Sequence, residues 1–172
     1  MAEAIERQSF WTRAFLSVVA IEVLGGLSGW LSQSGYGNDW FDRLVKPSFM
    51  PPGAAFGIVW PILYALMGVA LAMILIEPPS PRRRTALILF FVQLALNLSW
   101  SPIFFAGHDI ALASIVIFVI AAIAAATAGL FFRIRAAAGL LLMPYLAWLI
   151  FAAILNSTIQ SLNPGAGTSL LG

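Results

Sequence analysis

The chain reads as an all-α membrane protein, a bundle of five transmembrane helices with a long, partly ordered first loop. Three observations predict it. Hydrophobic residues make up 61% of the 172 residues and charged residues 9%, against about 45–50% and about 25% in soluble proteins. A sphere of this size has too little interior to hide so much apolar surface, so the solvent is lipid. Apolar runs long enough to cross a bilayer occur five times, and most of the arginines lie in alternate connections, on one side of the resulting topology.

The runs fall at about 14–32, 54–76, 85–106, 110–132 and 138–160. Each holds about 20 or more residues, enough at ~1.5 Å rise per residue to cross ~30 Å of hydrocarbon. Lipid offers no hydrogen bonds, so each segment must satisfy its own backbone, which selects helices. The alternation a membrane barrel needs is missing. The first run follows Glu3 and Glu6 as well as Arg7 and Arg13, and no A-x-A-like site comes after it. That predicts an uncleaved span rather than a signal peptide. No internal repeat divides the sequence, and residues 1–172 are expected to form a single transmembrane domain.

Arg7, Arg13, Arg82, Arg83, Arg84, Arg133 and Arg135 all fall on one side of this topology, and only Arg43 and Lys46 on the other. In a bacterial inner membrane this places the amino terminus in the cytoplasm; in an outer or mitochondrial membrane the rule loses force. The second, third and fourth loops are a few residues long, which predicts that spans 2–3, 3–4 and 4–5 are antiparallel neighbours. The first loop, about Gln33 to Gly53, is much longer. It carries Tyr36, Trp40, Phe41 and Phe49 with Pro47, Pro51 and Pro52, a composition suited to packing down as a lid.

Several chemistries are excluded. There is no basic stripe for nucleic acid at a net charge of +2. Cysteine is absent, which removes disulfides, thiol catalysis and Cys-based metal sites. His108 is the only histidine and reads as a turn residue beside Asp109. No P-loop, dinucleotide or Ser-His-Asp pattern is present, so neither metal nor cofactor is expected.

Polar residues inside spans are the informative ones, because each needs a partner or a cavity. Glu22 lies nine residues after Arg13, ~13 Å deeper along the helix; a hydrogen bond between helices and a ligand or proton role are both open. Gln93, Asn97 and Trp100 share one face of the third span. Tyr145, Trp148 and Asn156 form a stripe on the fifth. Such a set describes either an apolar pocket with fixed hydrogen-bonding points or plain helix packing. Trp11, Trp30 and Trp40 suit an interfacial belt, whereas Trp60, Trp100 and Trp148 lie within spans. Pro61 shapes the start of the second span and Pro144 bends or opens the fifth. Gly25, Gly26 and Gly29, and Ala121, Ala125 and Gly129 with Ala122 and Ala126, mark close contacts within the bundle or a homodimer interface.

The runs WFDRLVKPSFMPP (40–52), VWPILYALMG (59–68), QLALNLSWSPIFF (93–105), PYLAWLIFAAILN (144–156) and LNP (162–164) resemble, in order and across almost the whole chain, the TspO/MBR family. Its members are also called translocator protein, peripheral-type benzodiazepine receptor or tryptophan-rich sensory protein. The resemblance implies a five-helix membrane protein, often dimeric, that binds porphyrins such as protoporphyrin IX, sterols and benzodiazepine-type ligands beneath the first loop. Position by position, Trp60 and Trp148 match pocket tryptophans linked to porphyrin binding and breakdown. Asn97 and Trp100 match the pocket wall, Ala152 a small pocket residue with Leu155 one turn further, and Phe56 and Gly57 the junction of lid and helix. Tyr64 and Tyr145 complete the expected ligand-binding set, and Lys46, Pro47, Phe49, Pro51 and Pro52 the lid. Lys46 or Arg43 is expected to meet propionate groups.

Two departures stand out. Phe49 occupies a position where the family usually has Trp. The sterol-associated pattern after the fifth span is missing, since STIQSLNPGAG follows Asn156 with neither Tyr nor a basic residue, which argues against sterol transport. The expected function is a membrane receptor or transporter for tetrapyrroles and other flat hydrophobic ligands. The alternative is an enzyme that degrades porphyrin under light and oxygen through Trp60 and Trp148.

Overall fold

Helices begin where a side chain or a proline can stand in for a missing intrahelical bond. The computed structural model describes residues 2–167, with side chains from Gln8 onward; the side chains of Glu3, Glu6 and Arg7 lie outside the described residues. Helix α1 runs Ala2–Leu31, α2 Asp39–Arg43, α3 Gly53–Leu75, α4 Pro81–Ser101, α5 Ile110–Ile134, α6 Ala136–Leu141 and α7 Met143–Leu162. Asn38 Oδ1 accepts from Phe41 N at 3.0 Å to start α2, Ser80 Oγ from Arg83 N at 3.1 Å to start α4, and Asp109 Oδ1 from Leu112 N at 2.8 Å to start α5. Between α4 and α5 lies a π-helical turn, Pro102–Ala106, closed by Gly107 N donating to Pro102 O at 2.8 Å.

Five stretches have the length and apolarity to cross a membrane: Gln8–Leu31, Gly53–Leu75, Pro81–Ala106, Ile110–Ile134 and Ala136–Leu162. They agree with the expected runs except that the first and third start earlier, because the good helix formers before Trp11 extend α1 and the Ser80 cap starts α4 ahead of the arginines. Pro61 is absorbed within α3. Pro144 sits in the first turn of α7, just after the break at Leu142 that splits the fifth span into α6 and α7.

Packing orders the spans as a ring. α1 lies against α3, α3 against α6, α6 and α7 against α5, α5 against α4, and α4 returns to α1. Ser28 Oγ closes this ring by donating to Leu98 O at 2.6 Å. The expectation that the second and third spans are neighbours is therefore corrected: α3 and α4 barely touch along their length. Five extended residues reach ~16 Å, more than the 8–10 Å between packed axes, so the connection after α3 can step past one position. The fifth span takes the vacated place.

The arginine-rich end is tied together by carbonyl clamps. Arg83 Nε and Nη2 donate to Ile74 O and Leu75 O at 2.9 and 3.0 Å, and Arg13 also donates to Leu75 O. Arg135 pairs with Glu77 at 3.4 Å. These groups satisfy carbonyls left over at the end of α3.

At the other end the first loop is packed rather than free. Phe41 and Leu44 are buried against Phe104, Phe105 and Ile110, and Asn38 Nδ2 donates to Phe105 O at 3.4 Å. The small residues divide by face. Gly25 gives room to the Tyr64 ring, and Ala124 and Ala128 are buried, while Ala122, Ala125, Ala126 and Gly129 face outward.

Candidate ligand-binding site

The central residues come from three helices. On α3, Phe56, Trp60 and Tyr64 recur every four residues and share a face. The Trp60 and Tyr64 rings lie 5.2 Å apart, and the Tyr64 hydroxyl donates to Asn97 Oδ1 on α4 at 3.1 Å. On α7, Trp148 meets Trp60 edge to face at 6.4 Å and Phe56 at 5.8 Å. Phe151, three residues on, tilts against Trp148 at 5.3 Å and meets Phe49 of the first loop at 6.4 Å. Loop, second span and fifth span thus share one aromatic cluster. Trp60, Tyr64, Trp148 and Ala152 are half-buried and Asn97 is buried.

The Trp148 indole nitrogen is buried and has no hydrogen-bond partner among the described residues. An unsatisfied buried N–H costs about 1–3 kcal/mol, so an acceptor reaching it gains more than the same acceptor on the surface. Edge-to-face indoles around such a donor suit a flat ring carrying a carbonyl, carboxylate or ring nitrogen.

Other expected site residues lie elsewhere in the bundle. Trp100 stacks on Phe104 at 5.0 Å and donates from Nε1 to Ala113 O at 3.1 Å. Leu155 is buried beneath the loop with Phe41 and Phe104. Gly57 is exposed, with open space where a Cβ would be. Asn156 is buried and donates from Nδ2 to Ile110 O and Ser114 Oγ on α5, so the stripe on the fifth span is shared between partners. Lys46 Nζ donates to Phe41 O at 2.7 Å and to Asp42 O and Leu44 O at 3.2 Å, 4.6 Å over the Phe41 ring. It closes the end of α2 through these carbonyls. Glu22 is half-buried, with no hydrogen bond among the described residues.

Tyr145 and Gln93 form the most enclosed polar pair, each 1% exposed, with the tyrosine hydroxyl donating to Gln93 Oε1 at 2.8 Å. Tyr145→Phe leaves that amide oxygen unmatched and is expected to destabilise the bundle by about 1–3 kcal/mol. Adding Gln93→Leu should restore much of the loss. Thermal melts of the single and double variants check this; an unaltered single variant contradicts the pairing.

Phe151 is the member of the cluster that sequence reasoning missed. Its spacing from Trp148 was the available signal. A separate cleft of about 550 Å³ opens at the arginine-rich end, lined by the Glu77–Arg82 connection and Ile134. It has no aromatic lining and lies a whole span away from the cluster.

Residues 17–162 match the family model described as TspO/MBR family. The chain is 36% identical over 156 residues to the Translocator protein of Sus scrofa, covering 88% of this chain and 92% of that one. It is 43% identical over 132 residues to the Tryptophan-rich protein TspO of Chlorobaculum tepidum, covering 73% and 80%. With the Tryptophan-rich sensory protein of Cereibacter sphaeroides it shares 36% over 126 residues, covering 73% and 78%.

Proposed function

Since the chain belongs to the TspO/MBR family of multi-pass membrane proteins, we propose that it is a receptor or transporter for protoporphyrin IX-like tetrapyrroles and other flat hydrophobic ligands. The ligand lies among Phe56, Trp60, Tyr64, Asn97, Trp148 and Ala152, with Phe49 and Pro47–Pro52 as its cover. One observation carries this reading: the buried, unpartnered Trp148 N–H beside the Trp60 ring. The indoles stack on the macrocycle, and Trp148 Nε1 and the Tyr64–Asn97 pair hold its polar edge. Orientation in a bacterial inner membrane with the amino terminus cytoplasmic, and assembly as a homodimer, belong to the same proposal.

Protoporphyrin IX titrated into purified protein is expected to quench tryptophan fluorescence along a saturable single-site curve. A linear, unsaturable decline abandons the receptor reading.

The second reading is photo-oxidative degradation of the bound porphyrin. It draws on the edge-to-face contact of Trp60 and Trp148, which puts two oxidisable rings at one ligand position. Under light and oxygen an enzyme yields one defined product, lost in Trp148→Phe while binding persists. A binder leaves the Soret band intact or bleached without a defined product.

A further inference from the structure

The LNP motif that ends the fifth span takes no part in the aromatic cluster, yet its asparagine is committed on three sides. Asn163 Nδ2 donates to Val45 O at 2.9 Å, and Val45 N donates to Asn163 Oδ1 at 2.8 Å. The side-chain amide thus pairs with the first loop as a strand residue would. Nδ2 also donates to Ile159 O at 2.8 Å, which fixes the side chain to α7. Three residues on, Ala166 O accepts from Trp40 Nε1 at 2.9 Å. The Trp40 ring in turn stacks on His108 at 4.5 Å. Gly167 lies so close to His108 O that an added Cβ would approach it to 2.7 Å. Residues 163–167 are therefore wedged between the first loop and the start of α5.

These contacts stop at Val45. Beyond it, Pro47 is buried and Met50 packs against the cluster of Phe41 and Phe104, and the loop is held further by the Tyr36 hydroxyl donating to Pro51 O at 3.2 Å and by the Phe49–Phe151 edge contact. Phe49 is 46% exposed. Lys46 meanwhile ties the loop back to α2 through three carbonyls, making one hydrogen-bonded block.

We propose that Asn163 and Trp40 are positioning residues of the ligand site. They clamp loop residues 38–46 to the tail after α7, so that opening is confined to residues 48–52, after the buried Pro47. The inference rests on the first loop being the cover of the site. An asparagine is required because one group must donate to Val45 O and accept from Val45 N at once. Aspartate lacks the donor, and leucine lacks both.

Trypsin provides a readout that needs no ligand. Arg43 is exposed and Leu44 is 6% exposed, so cleavage between them requires the block to lift, while Pro47 protects the bond after Lys46. Proteolysis of a transiently open segment follows the population of the open form. Losing the Asn163 pair is expected to raise the rate of appearance of peptides ending at Arg43 about tenfold, with an unchanged melting temperature for the bundle. Asn163→Asp, which keeps the acceptor, should fall between wild type and Asn163→Ala. Protoporphyrin IX should leave Asn163→Ala faster than wild type.

Equal cleavage in wild type and Asn163→Ala overturns the clamp, whatever the porphyrin does. Faster cleavage with unaltered porphyrin dissociation overturns its link to the site, and protein that binds no porphyrin at all counts against the tetrapyrrole reading alone. If Asn163→Ala does not fold, Trp40→Phe decides the matter. It keeps the ring on His108, loses the bond to Ala166 O, and should also speed cleavage after Arg43.

Discussion

Gly68→Leu is expected to lower the melting temperature of the purified protein by about 10 °C and to reduce the yield of monodisperse protein. Gly68 is buried, and a Cβ at that position would lie 2.7 Å from the Cα and backbone nitrogen of Val18. The obstacle is main chain, so no rotamer change relieves it. The contact between α1 and α3 is the most extensive in the bundle. In lipid it is held by close packing, because the surrounding acyl chains are as apolar as the helices themselves. Overpacking a tight core costs about 1–3 kcal/mol, and in a domain of this size each kcal/mol moves the midpoint by about 2–4 °C. Gly68→Ala should show a smaller loss of the same kind. Gly26→Leu is the control, since a Cβ there meets nothing within 4 Å, and it should melt like the wild type. A Gly68→Leu protein as stable as that control would mean that the two backbones do not approach as described.

The second large effect concerns Trp148. Removing the indole with Trp148→Ala is expected to weaken protoporphyrin IX binding by about 30-fold or more. Truncation of a central aromatic anchor costs about 2 kcal/mol or more, and each 1.4 kcal/mol is tenfold in affinity. Trp148→Phe separates the two contributions. It keeps a ring among Phe56, Trp60 and Phe151 but deletes the N–H, and it should weaken binding by only about 2- to 10-fold. Trp30→Phe serves as reference, because Trp30 is 74% exposed and should leave the titration unchanged. Binding that survives Trp148→Ala at full strength moves the ligand away from the aromatic cluster.

The spans were legible because the bilayer enforces a minimum apolar length, and that requirement is written residue by residue. The break near Pro144 was legible for a similar reason, since a missing N–H has a local consequence. Neighbour relations were not. Loop length limits the distance between helix ends but does not choose among positions within that reach, and α4 sits next to α5 and α1 rather than α3. The aromatic and amide residues of the site were visible as types and spacings. Spacing could not tell that Trp100 and Asn156 turn to α5 while Trp148 turns to Trp60, since all lie on or near inward faces. Spacing could not tell that the carbonyls of Phe41, Asp42 and Leu44 surround the Lys46 ammonium, because that depends on how the loop folds back after α2. The LNP motif marked Asn163 without revealing its function, because its partner Val45 is 118 positions away.

The ring order also bears on how the chain is made. A ribosome delivers the spans in numerical order, yet the place between α3 and α5 belongs to the last of them, α6 with α7. Until that segment leaves the translocon, its contacts with α3 and α5 and the buried hydroxyl-to-amide bond of Tyr145 and Gln93 cannot form. Closure is therefore a late, post-insertion event. Nascent chains arrested before Tyr145 should be inserted yet remain substrates for membrane quality-control proteases.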